Sequence, residues 1–443
     1  MRHRAPDRRI SPAGPPAGRR PACRALLACS VLVGCLATPG AAGAAPPEPR
    51  RARADTTWNQ FGGEARDNRS DDRGLLDHWP EEGPEHVAGR GDLGIGFSSV
   101  SFAPGVVLTL GTRGEEEMVF CLDAESLEER WATPIGRVRA DGMGGGPRST
   151  PTVDGDRVYA LGAGGDLACL ALDTGRLVWG GNILRVFAAE NIVWGISESP
   201  LVDGDRVIVT PGGREATMAA LDAKTGRTLW KGTVPGMPQA AYASAIVVTT
   251  GGVRQYVNFV HGGLVGVRAA DGAVLWGDDS ASNATANCSA PLAWKGDVFA
   301  ASGYGAGGVL LRLARGRQGV RAVPAYTTKE MKNHHGGMVI DRDHLYGCDE
   351  GLLTCLELAG GRVAWQHRSV GKGAVVWADG KLVVRSEEGP VALVEATPRG
   401  YVELGRFTPA GRSDRPAWAH PVIAAGRLWL RDQDRLDVYS VAE

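Results

Sequence analysis

LDAKTGRTLW, residues 221–230, sets a Thr-Gly turn between the end of one apolar strand and a second strand that finishes on tryptophan. The same frame recurs as LDTGRLVW (172–179), RAADGAVLW (268–276) and LELAGGRVAW (356–365). With Trp131, Trp179, Trp230, Trp276 and Trp365 as common endpoints, four of the five have glycine four residues earlier. Ten residues earlier each has something small: Cys121, Cys169, Ala220, Gly266 or Cys355. Glycine supplies the positive φ that tight hairpins need, so the frame predicts strand, turn, strand.

A second phrase precedes these hairpins: STPTVDGDRVYAL (149–161), ESPLVDGDRVIVT (198–210), SAPLAWKGDVFAA (289–301) and AHPVIAAGRLWLR (419–431). In each, a proline stands seven residues before an apolar strand residue. Every unit is therefore three or four antiparallel strands, with no room for helices. The tryptophans are spaced by 48, 51 and 46 residues and then by 89, a gap that hides a degenerate copy at 308–327. A second degenerate copy occupies 389–407. Strand-only units repeating every 40 to 50 residues or so mark a β-propeller. The 386 residues from Trp58 to Glu443 predict an all-β chain forming a single eight-bladed propeller of four-stranded antiparallel sheets, with seven blades as the alternative. The last unit has room for three strands, and WNQFGG (58–63) is expected to supply its fourth and close the ring.

The first 44 residues differ from the rest. Seven arginines precede the apolar run Ala25–Leu36 and a small-residue stretch, which is the pattern of an export signal. Ala42-Gly43-Ala44 offers one cleavage site, and Leu32-Val33-Gly34-Cys35 resembles a lipobox, making Cys35 the lipidation candidate. The apolar run is shorter than the roughly 20 residues that span a bilayer. The expected organisation is an export signal at 1–44, a tether at 45–55 and the propeller at 56–443. The destination is periplasmic or membrane-tethered, with extracellular as the alternative. Formal charge is −1 overall, and the arginine-rich leader leaves the remainder distinctly acidic, which argues against nucleic-acid binding. Contact with a membrane is expected only through a lipid anchor. The cysteines beyond the leader are odd in number and show no zinc-type spacing, so no metal site is expected.

The Trp, Gly and Pro signature resembles the pyrroloquinoline-quinone (PQQ) type propeller repeat, with its LDAxTGxxxW blades, over nearly all of the chain after residue 55. The chain is similar to exported PQQ-binding-like β-propeller repeat proteins of planctomycete-type bacteria. That repeat group includes quinoprotein alcohol dehydrogenases and a BamB-like lipoprotein scaffold of the outer-membrane β-barrel assembly machinery.

KNHHGGMVI (332–340) holds the only adjacent histidines. Its counterparts GPRSTP, GISESP, AAYASA, TANCSA, GKGAVV and PAWAHP also lie just ahead of innermost strands, so all converge on one mouth of the central channel. The candidate rim is Arg148, Glu198, Tyr242, Asn287, His334, His335, Lys372, Trp418 and His420. These side chains either bind something, the histidines being able to act near neutral pH, or satisfy backbone groups at strand starts. Adjacent strand residues point to opposite faces, which disfavours a shared metal ion at His334 and His335. Cys288 lies in the same rim segment with no evident activating base. The expected function is an exported binding or scaffold module contacting a protein, peptide, glycan or small molecule at the rim, with no resident cofactor. The alternative implied by the resemblance is a PQQ and Ca²⁺ dependent quinoprotein dehydrogenase oxidising alcohols or sugars. In that case Glu198 and Asn287 would supply oxygens, Arg148 or Lys372 the cation, and Trp418 a stacking face. The chain lacks the adjacent Cys-Cys pair of the alcohol dehydrogenases and has no P-loop, nucleophile elbow or HExxH segment.

Overall fold

The repeated glycine and tryptophan meet between blades. A β-carbon on Gly175, Gly226 or Gly272 would lie 2.5–2.6 Å from Cε3 of Trp131, Trp179 or Trp230, each of which belongs to the preceding blade. The three indole N–H groups donate to Leu172, Ala223 and Ala269 carbonyls in those same turns, at 2.9–3.1 Å. Each tryptophan thus caps the next blade's hairpin turn, which must be glycine both for its left-handed φ and for want of space. The small residues ten positions earlier are the cross-strand partners of the tryptophans, as in Cys121 opposite Trp131 and Gly266 opposite Trp276.

The computed structural model describes residues 58–236, 239–317 and 319–443, which belong to one unit, Ala52–Glu443. The export signal at 1–44, Cys35 and the tether at 45–55 lie outside the described residues. Among the described residues there are eight antiparallel blades, seven of them built in chain order from the channel outward. Their innermost strands are Val100–Ala103, Thr152–Asp154, Leu201–Asp203, Ile246–Thr250, Leu292–Trp294, Val339–Asp341, Gly373–Ala378 and, in blade 8, Val422–Ala424. The faces of adjoining sheets bury Val, Leu, Ile and aromatic side chains against one another. One helical turn, Ile183–Val186, interrupts the strand-only pattern, with the Asn182 side chain accepting from Arg185 N–H at its start.

The degenerate copy at 308–327 is blade 5. Its outer hairpin, Gly307–Gly316 with Gly319–Thr328, is lengthened, and Tyr326 takes the tryptophan's place over Gly361. In blade 7 the equivalent position is Gly405, and Trp79 from the chain start fills the vacated space. In blade 8 that position is Ala88, and blade 1 correspondingly carries Leu127 (φ 58) where blades 2, 3, 4 and 6 have glycine.

Ring closure corrects the expectation for WNQFGG. The fourth strand of blade 8 is His86–Arg90, antiparallel to Arg435–Ser440. Gly62 and Gly63 have left-handed φ, and Trp58 and Gln60 are buried, so Trp58–Gly63 cannot run as a half-exposed edge strand. The segment instead crosses the channel. The Trp58 and Asn59 carbonyls accept from the N–H groups of Phe102 and Val153. Arg66 donates to Ser199 O and Pro200 O, and Asn68 to Met338 O. Arg69–Ser70 then pairs in parallel with Gly373–Ala378 as a fifth strand of blade 7. This plug seals the bore at one end.

Candidate functional site

At the other end the lead-in segments surround an open-mouthed funnel with a cavity volume of about 160 Å³ and Phe61 of the plug among its lining residues. Strand pleating decides which residues of most blades face it, because successive side chains alternate, but His334 and His335 of blade 6 lie in a bend and, against the expectation of opposite faces, both line it. Arg148, Ser197, Cys288 and Trp418, each three residues before its blade's proline, line the funnel. Phe97 and His335 do the same from equivalent positions, as do Tyr242 and Ser244 in blade 4. Residues two before the proline, Ser149, Glu198, Ser289 and Ala419, are buried and turned away.

Among the candidates, Arg148, Tyr242, His334, His335, Trp418 and His420 converge in the lining, whereas Glu198, Asn287 and Lys372 do not line it. Glu198 accepts from Thr210 N–H, Thr210 Oγ1 and Asn258 Nδ2 inside the blades. Burial pushes its carboxyl up to about 7, opposed by those bonds and by the charge of Arg66. Asn287 has an even offset too; its Oδ1 accepts from Ser302 and its Nδ2 donates to His261 O, tying loops together. Lys372 sits at the rim in an ion pair with Glu387, 3.1 Å. The hub serines are bonded between blades: Thr150 N–H donates to Ser199 Oγ, Ser199 N–H to Ser244 Oγ, and Ser99 Oγ–H to His420 O.

Five lining or supporting residues had no signal in the repeat. Trp194, Tyr304 and Glu387 come from loops facing the same mouth, Phe61 from the plug and Phe97 from the unrepeated start of blade 1. Loop residues have no repeated frame to reveal them.

The wall is a run of aromatic contacts. Phe97 lies 4.9 Å from Trp418 between ring centroids, Trp418 5.6 Å from His335, and His334 4.5 Å from Tyr304. Trp194 and Tyr242 pair at 5.4 Å, and Phe61 and His420 at 5.1 Å. The charges around it are matched internally. Arg148 forms a buried pair with Asp141 (3.0 Å) and donates to Gly144 O and Gly146 O, which leaves its guanidinium stacked by Phe97. Glu387 accepts from His335 Nε2 (2.7 Å) and Trp418 Nε1 (3.0 Å). Burial opposes its ionisation, but these two bonds and the Lys372 charge outweigh that and hold it at about 2. Burial lowers His335, against the bond and charge of Glu387, and takes His334 and His420 to about 4, so burial favours the neutral form of each imidazole. Burial pushes the Cys288 thiol up to about 12, and the buried Cys121, Cys169 and Cys355 are likewise raised.

The residues present do not fit a Ca²⁺-bound quinone. Glu198 and Asn287 point away from the funnel, while Asp141 and Glu387 are already engaged by cations. Among the described residues no cluster of three or more His, Cys, Asp or Glu is arranged to hold a metal ion. No helix among them is long and apolar enough to cross a membrane.

Comparison with solved structures places the fold. BamB from Moraxella catarrhalis superposes with TM-score 0.56 at 15% identity, covering 81% of this chain and 99% of that one. The quinohemoprotein alcohol dehydrogenase from Comamonas testosteroni gives 0.61 at 11%, covering 88% and 81%. The quinohemoprotein alcohol dehydrogenase ADHIIG from Pseudomonas putida HK5 gives 0.60 at 14%, covering 87% and 80%. At such identities these likenesses concern the fold alone. No curated protein matches the sequence. The family model described as outer membrane protein assembly factor BamB matches residues 115–367, more than half of the chain, and the chain belongs to that family.

Proposed function

We propose that this protein is an exported binding module that receives its ligand or partner in the aromatic funnel and performs no redox chemistry there. One observation carries the reading. The alternate lead-in residues of several blades build a single aromatic-walled recess, closed below by the plug, whose charged neighbours are spent on one another. Such a recess has the character of binding pockets, in which apolar walls give affinity and a few polar groups give orientation. BamB-family membership supports an interaction role, and the turned-away Glu198 and Asn287 disfavour the dehydrogenase alternative. In this reading residues 1–44 direct export, 45–55 tether residues 56–443, and Cys35 offers lipid attachment at the membrane facing the periplasm.

Trp194 and Trp418 make the test direct, since both line the funnel. Tryptophan fluorescence of the full-length chain is titrated with short peptides, oligosaccharides and aromatic small molecules, alongside Trp418→Ala and Tyr242→Ala. Binding that these variants abolish is expected. Binding indifferent to both variants, or quinone absorbance with dye reduction after PQQ and Ca²⁺ are added, overturns the reading. Mass spectrometry of the mature N-terminus tests export and lipidation.

A further inference from the structure

The hydrogen bonds around the paired histidines have one consistent direction. A carboxylate only accepts, so the 2.7 Å contact between Glu387 Oε2 and His335 Nε2 places the proton on His335 Nε2. His335 is about one-tenth exposed, and in the neutral form that burial favours its single proton is the one on Nε2, which leaves its Nδ1 bare. The proton in the contact between the two Nδ1 atoms, 3.4 Å apart, therefore belongs to His334. Neutral His334 then has a bare Nε2, on a ring that lines the funnel beside Tyr304. His420 Nε2–H donates to His335 O (3.0 Å), holding the His335 backbone in place. Glu387 and His335 thus act as positioning residues that present His334 Nε2 as a hydrogen-bond acceptor.

That acceptor sits in a wall with specific chemistry. Lys372 and Arg148 are neutralised by Glu387 and Asp141, so among the described residues the funnel offers no unmatched charge to a phosphate, carboxylate or amine. What remains are aromatic faces, the hydroxyls of Thr150, Ser244 and Tyr304, and two bare imidazole nitrogens, His334 Nε2 and the buried, unpartnered His420 Nδ1. Aromatic faces suit the C–H side of a saturated ring, and bare acceptors among hydroxyls suit a ligand rich in O–H groups. We propose that the funnel binds a neutral saccharide, one ring lying against Trp418 while a hydroxyl donates to His334 Nε2. This rests on the funnel being the binding site.

The full-length chain is tested by calorimetry against neutral gluco-, xylo- and chito-oligosaccharides, an oligouronate of similar length and an aromatic-rich peptide. At least one neutral oligosaccharide is expected to bind, and the uronate more weakly. Trp418→Ala should weaken binding about tenfold through loss of the stacking face. His334→Ala should weaken it about three- to tenfold, the worth of one hydrogen bond. Trp418→Phe, which keeps a ring, guards against misfolding and should retain most of the affinity. Imidazole ¹⁵N spectra should show His334 protonated at Nδ1 and His335 at Nε2. Glu387→Gln should relax the His334 tautomer and weaken binding without unfolding. If the peptide binds in a Trp418-dependent manner and no oligosaccharide does, the saccharide inference falls and the binding-site reading survives. If nothing binds, both fall. A His334 proton on Nε2 overturns the relay.

Discussion

The indole of Trp131 lies across the position a side chain on Gly175 would occupy, with Cε3 2.5 Å from the β-carbon site, and Thr133 Oγ1 is 2.6 Å from the same point. Gly175→Ala must displace that indole while holding φ near 67°, which L side chains rarely adopt. The expected loss is about 1–3 kcal/mol, seen as a lower thermal unfolding midpoint. Unchanged melting would show that the blade interface yields freely.

The blade 8 to blade 1 junction should behave in mirror image. There Ala88 and Leu127 stand where other junctions have tryptophan and glycine, and both pack in one apolar cluster. Ala88→Trp alone is expected to destabilise, and Leu127→Gly to offset part of that loss. The double-mutant cycle should give a coupling of about 0.5–3 kcal/mol, and additive effects would contradict the pairing.

Closure by His86–Arg90 leaves Arg435–Ser440 an open edge if the strand is removed. A chain starting at residue 91 loses that strand together with the plug. It should self-associate on size-exclusion chromatography, because unpaired edges template pairing with other chains. A well-behaved monomer would deny the closure its role.

Arg66 is buried in the plug and donates to Ser199 O and Pro200 O while its charge faces Glu198. Arg66→Ala should cost about 1–3 kcal/mol, because it strands the buried Ser199 and Pro200 carbonyls that its guanidinium serves. Limited proteolysis between residues 58 and 75 should quicken in that variant. Resistance equal to the parent would exclude the plug as a stabilising element.

Glu198 supplies a pH signature. Its folded carboxyl is raised to about 7, above the unfolded value near 4.5, so the native state holds a proton that the unfolded chain releases. Its contribution is full below the unfolded value and is lost as pH rises towards 7. Glu198→Gln should remove that slope, giving a melting difference from the parent that favours the variant by about 1–3 kcal/mol at pH 8 and shrinks towards pH 4. A constant difference across pH would show that Glu198 is ionised throughout.

The repeat was legible because it is local. A turn needs glycine, a tryptophan closes five of the eight units and its cross-strand neighbour needs to be small, so residues 221–230 and their copies carry the strand order and, with the period, the eightfold count. The convergence of Arg148, Tyr242, His335 and Trp418 followed from the same periodicity. Pleat parity, also present in the sequence, separates these from Glu198 and Asn287, since one step along a strand turns a side chain from the bore into the blade. Other features depended on the closed ring. Only there does Glu387 reach His335 from a loop 52 residues away, Trp79 fill the gap at Gly405, and His86–Arg90 rather than WNQFGG complete blade 8. Those contacts join segments with no common period, and their partners are set by shape and hydrogen-bond direction in three dimensions rather than by spacing along the chain.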